Sequence, residues 1–360
     1  MIKKILKRFF PLPAKNANES EKRIMDKLFS IQRENSILLD EISFLTNRKK
    51  TNLRNGGKNS PKELKEWYFN ISGGRTLNLE NPQTFTEKLN WLKLNDRNPM
   101  KVLLADKFLA PRYAEHITHG KIKTTKLLGR WENAHDIDFG ALPQKFVLKC
   151  NHGSSMNIIV EDKTELDILE TTKKLNEWLR TNYTEFGNCG EWNYSYIKPC
   201  VIAEEFMTDG HESLVDYKFH CFNGEPKIVE IQSDHYNGRP VSSFYDLEWN
   251  KLDIKRKDFF APTTDIKKPL KFSQMLEFAR KLSKDFIYVR MDFFYINNEV
   301  YFGEYTFSPG AGWFDFEKTE TDVELGKLLT LPVSSEFSGG GYRCRVVSTN
   351  FVLLTRKAVA

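Results

Sequence analysis

The stretch VRMDFFYINNEVYFGEYTFSPGAG, residues 289–312, decides the fold. Alternating polarity and a wealth of aromatic and β-branched residues predict two strands, 288–296 and 300–307, joined by a three-residue loop, 297–299. With that loop Ile296 faces Val300, Phe294 faces Phe302, Asp292 faces Glu304 and Arg290 faces Thr306, all on one side of the sheet. A two-residue loop, Asn297-Asn298, slips the register by one and separates the acids. The three-residue register is preferred because it pairs apolar with apolar and gathers polar residues at one end. Two opposed carboxylates repel, so they need a cation or a shared proton. Hard oxygen ligands of this kind suit Mg²⁺, which takes one or two carboxylates plus substrate phosphates. The competing reading is a solvent-facing edge with unpaired acids.

The rest of the chain supports a large globular protein. Its 360 residues, 40% hydrophobic and 13% aromatic, can bury a sizeable core in two or three lobes. A formal charge of +6, spread along the chain, is mild for a nucleic-acid binder, and no RNA or DNA module is present. The five cysteines, Cys150, Cys189, Cys200, Cys221 and Cys344, are odd in number and lack C-x-x-C spacing. Neither a disulfide framework nor a zinc site is expected, and a reducing cytoplasm fits best. No apolar run is long enough to span a membrane as a helix.

Residues 1–16 open with MIKKILKRFF, whose Ile2, Ile5, Leu6, Phe9 and Phe10 fall on one helical face and whose Lys3, Lys4, Lys7 and Arg8 fall on the other. This basic amphipathic pattern suits either peripheral contact of residues 1–10 with the inner face of the plasma membrane or a packed terminal helix. Across residues 20–48, Ile24, Leu28, Ile31, Asn35, Leu38, Ile42 and Leu45 recur at heptad spacing. Asn35 takes an a position, a device that fixes register in dimers. A homodimeric coiled coil through residues 24–45 competes with a helix docked on its own domain. Residues 49–60 read as a linker.

From 61 to 142 the pattern is mainly helical, and TFTEKLNWLKL begins with the capping-box order Thr84-x-x-Glu87. LPQKFVLKCNHGSSMNIIV then predicts a strand 146–150, a polar glycine loop 151–155 and a strand 157–160. Such a unit can lay backbone N–H groups and hydroxyls over a polyphosphate with Lys149 aimed at it, or form an ordinary hairpin turn. No P-loop or Rossmann fingerprint is present. After a helix near 166–183, CVIAEEFM is a buried strand ending in acids, suited to a nucleotide base through Glu204, Glu205 and Met207. LVDYKFHCFNGEPKIVEIQ gives two strands about Asn223-Gly224, the first bearing Lys218. Lys218 and Asp216 also suit a cross-strand ion pair.

This order of parts resembles the ATP-grasp superfamily, and its closing hairpin resembles that of D-alanine–D-alanine ligases. TFTEKLNWLKL, ADKF, LPQKFVLKCNHGSS, DYKFHCFNG, VRMDFF and FGEYTFSPGAG resemble the TupA-like branch, named for teichuronopeptide biosynthesis, over residues 75–331. The resemblance implies an α+β ATP-grasp fold of two lobes clasping ATP, 143–210 and 211–331. A helical front lobe, 61–142, precedes them and a tail, 332–360, follows. It further implies an enzyme that activates a carboxylate with Mg²⁺ and ATP and couples it to an amine, in cell-surface polysaccharide or capsule synthesis. Carried over by motif, Lys107, Lys149 and Lys218 contact nucleotide or phosphates, and Gly153, Ser154 and Ser155 form the loop over the phosphates. Glu204, Glu205 and Met207 line the adenine and ribose edge. Asp292 and Glu304 hold Mg²⁺, Thr306 stands where the wider superfamily has a metal-binding Asn, and Arg290 stabilises an oxyanion. Two rivals share the composition: a glycosyltransferase using Asp136 and Asp138 as a D-x-D metal motif, and a sugar kinase using the same ATP site. A scaffold has no chemical need for Lys149, Arg290, Asp292 and Glu304 together.

Overall fold

The computed structural model describes residues 61–181, 190–208, 214–233, 240–262 and 266–332. The basic N-terminal segment, the heptad helix, the linker and nearly all of the tail lie outside the described residues, as do Cys189 and Cys344. Four helices come first: α1 (Pro61–Ile71), α2 (Phe85–Asn95), α3 (Met100–Ala105) and α4 (Ala110–Ile117). Helix α2 carries the expected capping box: the Thr84 hydroxyl accepts from the Glu87 N–H at 3.1 Å, and the Glu87 carboxylate accepts from the Thr84 N–H at 3.0 Å. The front segment also holds a strand, β1 (Leu127–Trp131), which the helical reading of 61–142 missed. Its single apolar alternation is short, and it becomes a strand by pairing with a distant partner.

A four-stranded antiparallel sheet follows, in the order β1-β4-β2-β3, with β2 (Phe146–Cys150), β3 (Asn157–Val160) and β4 (Val201–Glu205). Strands β2 and β3 match the sequence boundaries. Helix α5 (Ile168–Arg180) covers this sheet, and Phe146, Leu148, Cys150, Leu175, Val201 and Ala203 form the core between them. Side chains alternate across a strand, so burying Phe146, Leu148 and Cys150 turns Lys149 to the opposite face.

The second sheet has six antiparallel strands in the order β10-β9-β5-β6-β7-β8. These are β5 (Asp216–Phe222), β6 (Glu225–Ser233), β7 (Val241–Tyr245), β8 (Lys251–Leu252), β9 (Tyr288–Ile296) and β10 (Glu299–Thr306), with α6 (Phe272–Ser283) before β9 and α7 (Thr319–Leu328) last. One face packs Tyr217, Phe219, Cys221, Met291, Phe293 and Phe302 against residues of α3, α4 and α6. The other face is apolar at one end, where Phe222, Phe244 and Tyr288 meet Phe85 and Leu89 of α2 and Leu325 of α7. Farther along it turns polar.

The closing hairpin corrects the expected register. Its loop has two residues, Asn297 (φ 51°) and Asn298 (φ 61°), the left-handed pair of a tight hairpin turn, so Ile296 pairs with Glu299 and Phe294 with Tyr301. The pairings of Ile296 with Val300 and Phe294 with Phe302 do not form. A bulge between Phe302 and Glu304 then restores the opposition of Asp292 to Glu304 and of Arg290 to Thr306. At Gly303 a Cβ would stand 2.8 Å from the Asp292 carbonyl oxygen, too close for any other residue without movement.

Candidate active site

Strand pairing builds the polar patch on the second sheet. Lys218 on β5 lies opposite Asp292 on β9, and Arg290 lies two residues before Asp292 on the same face. Arg290 grips Asp292 bidentately: Nε donates to Oδ1 at 2.8 Å and Nη2 donates to Oδ2 at 2.7 Å. Lys218 Nζ donates to Asp292 Oδ2 at 2.9 Å and lies 3.2 Å from Asp216 Oδ2, so its ion pair is both cross-strand and within its own strand. Burial pushes the Asp292 carboxyl up, but Arg290 and Lys218 outweigh it and hold the group below its ordinary range. Burial likewise works against the Lys218 ammonium, and Asp216 and Asp292 outweigh it, so its pKa is raised. Glu304 is different. Its half-exposed carboxylate accepts from Thr306 Oγ1 at 2.8 Å and lies 3.5 Å from Arg290 Nη2.

Behind this patch runs a buried network that sequence reasoning missed. Glu230, fully buried on β6 opposite Lys218, accepts from Gln232 at 2.6 Å and Ser242 at 2.9 Å, and meets Arg256 at 3.4 Å and His220 at 3.1 Å. His220 reaches the Tyr288 hydroxyl through its other ring nitrogen at 2.7 Å. Burial raises the Glu230 carboxyl, but hydrogen bonding to His220 and the Arg256 charge hold it far below the usual range. Alternation along β5 and β6 was the available signal, since it puts His220 and Glu230 on the Lys218 face.

The first sheet carries a second group of the residues singled out by sequence. Lys149 Nζ donates to Glu204 Oε2 at 2.6 Å across β2 and β4. Lys107 Nζ donates to the Gly153 carbonyl at 2.7 Å, and its N–H donates to the Asn151 carbonyl at 3.2 Å, so Lys107 and the glycine loop form one unit. Asn151 anchors that loop by accepting from the Cys200 N–H at 2.8 Å, and His152 reaches the Trp178 carbonyl at 3.2 Å. Gly153 is buried, while Ser154 and Ser155 at the loop tip are exposed. A cleft of about 330 Å³ is lined by Lys107, Arg112, Glu115, Thr124, Thr125, Lys126 and Glu204. Arg112, Thr124 and Lys126 were not foreseen, because they precede β1 in the segment read as helical. Met207 Sδ accepts from Thr125 Oγ1 at 3.4 Å, whereas the Glu205 N–H is already donated to the Lys126 carbonyl and is not free for a base.

Two further groups stand outside these sets. Glu191, 8% exposed, feels the charges of Lys93, Lys107 and Glu304. Burial pushes its carboxyl up to about 7, with Glu304 adding to the rise and the lysines opposing it. Helix α2 holds the loop that follows Thr306: Lys93 Nζ donates to the Ala311 carbonyl and Asn90 Nδ2 donates to the Gly312 carbonyl, both at 2.7 Å. Gly310, Ala311 and Gly312 are all left-handed there, with φ of 60°, 55° and 80°. The residues singled out by sequence therefore gather in two sets, Lys149 and Glu204 on the first sheet with Lys107 and Gly153 joined at its loop, and Lys218, Arg290, Asp292, Glu304 and Thr306 on the second sheet. Asp136 and Asp138 join neither set. Both are exposed, and Asp138 caps a short turn by accepting from the Gly140 N–H at 2.9 Å.

The donors Asp292, Glu304 and Thr306 are hard oxygens on adjoining strands, which fits a Mg²⁺ ion that completes its shell with phosphates. Among the described residues no three acidic, His or Cys side chains form a metal cage. Glu304 is the more available ligand because both Asp292 oxygens are engaged by cations.

Comparison with solved structures returns D-alanine–D-alanine ligase from Helicobacter pylori, 21% identical over 68% of this chain and 69% of that one, TM-score 0.37. It also returns L-amino acid ligase from Bacillus licheniformis, 15% identical over 64% of this chain and 51% of that one, TM-score 0.36. A third is D-alanine–D-alanine ligase from Bacillus anthracis complexed with ATP, 15% identical over 57% and 55%, TM-score 0.35. Comparison with curated proteins gives no match. The model of the TupA-like ATP-grasp family matches residues 87–330, which include every nucleotide and hairpin residue named above. The chain therefore belongs to the TupA-like ATP-grasp family, within the ATP-grasp superfamily of ATP-dependent ligases, and ATP is its cofactor.

Proposed function

We propose that this chain activates a carboxylate as an acyl phosphate and couples it to an amine, in the synthesis of a cell-surface polysaccharide of the teichuronopeptide or capsule type. The observation that carries the reading is that Arg290, Lys218 and two opposed carboxylates gather on one face of the second sheet, in a chain that also joins Lys107 to the glycine loop of the first. When bound, Mg²⁺ and ATP supply the phosphoryl group and neutralise the charge that builds on it. Lys107, Lys149 and the loop Gly153-Ser154-Ser155 would hold the phosphates, with Glu204, Glu205 and Met207 along the base and ribose. Glu304 and Asp292 would hold the metal, with Thr306 fixing the Glu304 oxygen. Lys218 and Arg290 carry a fixed positive field toward the reacting carbonyl, because Asp216 and Asp292 keep them ionised and oriented.

The chemistry also supports an assignment of partners. The substrates are a carboxylate and an amine from polymer precursors, such as a uronic acid and an amino acid. Residues 24–45 would join two copies, and residues 1–10 would rest on the inner face of the plasma membrane in a cytoplasmic enzyme. The test is to incubate the full chain with Mg²⁺, ATP and a panel of uronic acids and amino acids, following phosphate release and product mass. Phosphate release with a new amide supports the reading. A stable phospho-sugar in its place assigns the site to a kinase.

A further inference from the structure

The glycine loop between β2 and β3 is tied down residue by residue. Its ends close where the Met156 carbonyl accepts the Cys150 N–H at 2.9 Å. Asn151 is held to the segment before β4: its N–H donates to the Cys200 carbonyl at 3.1 Å, its Oδ1 accepts the Cys200 N–H at 2.8 Å and its Nδ2 donates to the Lys198 carbonyl at 3.1 Å. Lys107 Nζ holds the Gly153 carbonyl at 2.7 Å. Between these two, His152 is 3% exposed and reaches the Trp178 carbonyl of α5 through Nε2 at 3.2 Å. Ser154 and Ser155 are exposed, and Ser155 takes a left-handed φ of 58°. The loop has a fixed base and an open tip.

The bond from His152 has a direction. A carbonyl only accepts, so Nε2 carries the proton, and burial favours the neutral ring. Trp178 lies in the last turn of α5, where helix carbonyls lack partners within the helix, and it also accepts the Thr181 N–H at 3.0 Å. The other ring nitrogen, Nδ1, is buried with no partner among the described residues. A buried acceptor left unpaired costs stability, and a phenyl ring of similar shape carries no such cost. Packing alone therefore gives no reason for an imidazole at this position, whereas the Nε2–H does.

We propose that His152 is a positioning residue for ATP: its Nε2–H ties the loop to the C-terminal end of α5 and so sets where the N–H groups of Gly153, Ser154 and Ser155 meet the phosphates. This rests on the reading above in which that loop covers the phosphates. The buried ring acts through the loop backbone, so it governs the phosphate end of the nucleotide and leaves the base and ribose end alone.

Calorimetric titration of the full-length protein with AMP-PNP in Mg²⁺, and separately with adenosine, tests this in wild type, His152→Phe, His152→Gln and a variant lacking Ser154 and Ser155. The Phe variant keeps the bulk of the ring without its donor, and the Gln variant puts an amide N–H where Nε2 stands. His152→Phe should bind AMP-PNP roughly 3- to 10-fold more weakly, the net worth of one hydrogen bond, with adenosine affinity unchanged. His152→Gln should recover most of the loss, and His152→Leu repeats the comparison without the bulk of the ring. Unchanged AMP-PNP affinity in the Phe and Leu variants, an equal loss of AMP-PNP and adenosine, or a Gln variant as weak as Phe overturns the proposal. The deletion separates the two readings. If it weakens AMP-PNP while His152→Phe binds like wild type, the assignment of His152 fails alone; if it leaves AMP-PNP affinity unchanged, the loop does not cover the phosphates and both readings fall.

Discussion

Asp292 stands opposite Glu304 because the strand between Phe302 and Glu304 bulges by one residue. The two acids then take different roles: Asp292 is buried and clasped by Arg290 and Lys218, and Glu304 is half-exposed beside Thr306. One acid orders the cations of the site, and the other keeps its carboxylate half in solvent.

Gly303→Ala should therefore act on the site through the backbone. Its Cβ would press on the Asp292 carbonyl from 2.8 Å, so the bulge must shift. Urea unfolding should show a loss of about 1–3 kcal/mol, the usual cost of overpacking, together with a sharp fall in Mg²⁺-dependent ATP turnover. Unchanged stability and turnover would show that the bulge is not needed.

The two acids should part company on substitution. Asp292→Asn leaves Arg290 and Lys218 facing a neutral amide, so it should cost about 3–5 kcal/mol, as breaking a buried ion pair does, besides abolishing turnover. Glu304→Gln should lose turnover with a stability change within about 0.5 kcal/mol, because its side chain is half in solvent. Equal stability losses in the two variants would contradict this division.

Acid should expose the same network. The Asp292 and Glu230 pKa values lie below their unfolded values, so the unfolded chain binds more protons as pH falls below about 4. Their stabilisation is complete above that pH and is lost as pH drops through the folded values. Arg290→Met removes the leading cation beside Asp292, and its acid unfolding should begin at higher pH than in wild type. Asp106 works in the opposite sense. Burial pushes it up to about 6, so it costs stability as pH rises from about 4 to about 6. Asp106→Asn should remove that fall. Melting temperature against pH checks both, and superimposable curves for Arg290→Met and wild type would refute the first.

Deleting residues 1–58 should turn a dimer into a monomer that still binds ATP, because every nucleotide residue lies downstream. Sedimentation of the full chain as a monomer would leave the heptads as a docked helix.

Much of this was legible in the sequence, for reasons that differ by residue. Strands β2 and β3 and the Asn223-Gly224 turn carry strong local signals, and the structure keeps them. The opposition of Asp292 to Glu304 was anticipated through the wrong loop length. The clue lay in Val300 and Phe302 followed by Tyr305 and Phe307, which share one core only if the alternation breaks at Gly303. Strand β1 and the clamp of α2 on the Ala311 and Gly312 carbonyls arise from contacts between distant segments, which no local pattern encodes.

The most direct test of the ligase reading is hydroxylamine trapping of the acyl group in wild type and Arg290→Met with Mg²⁺, ATP and the carboxylate that supports phosphate release. Wild type should yield a hydroxamate in step with phosphate. Arg290→Met should still bind Mg²⁺ and ATP while forming amide roughly 10²- to 10³-fold more slowly, the range for loss of one oxyanion donor. A phosphorylated substrate with no hydroxamate in wild type would contradict acyl activation and leave only the ATP site standing.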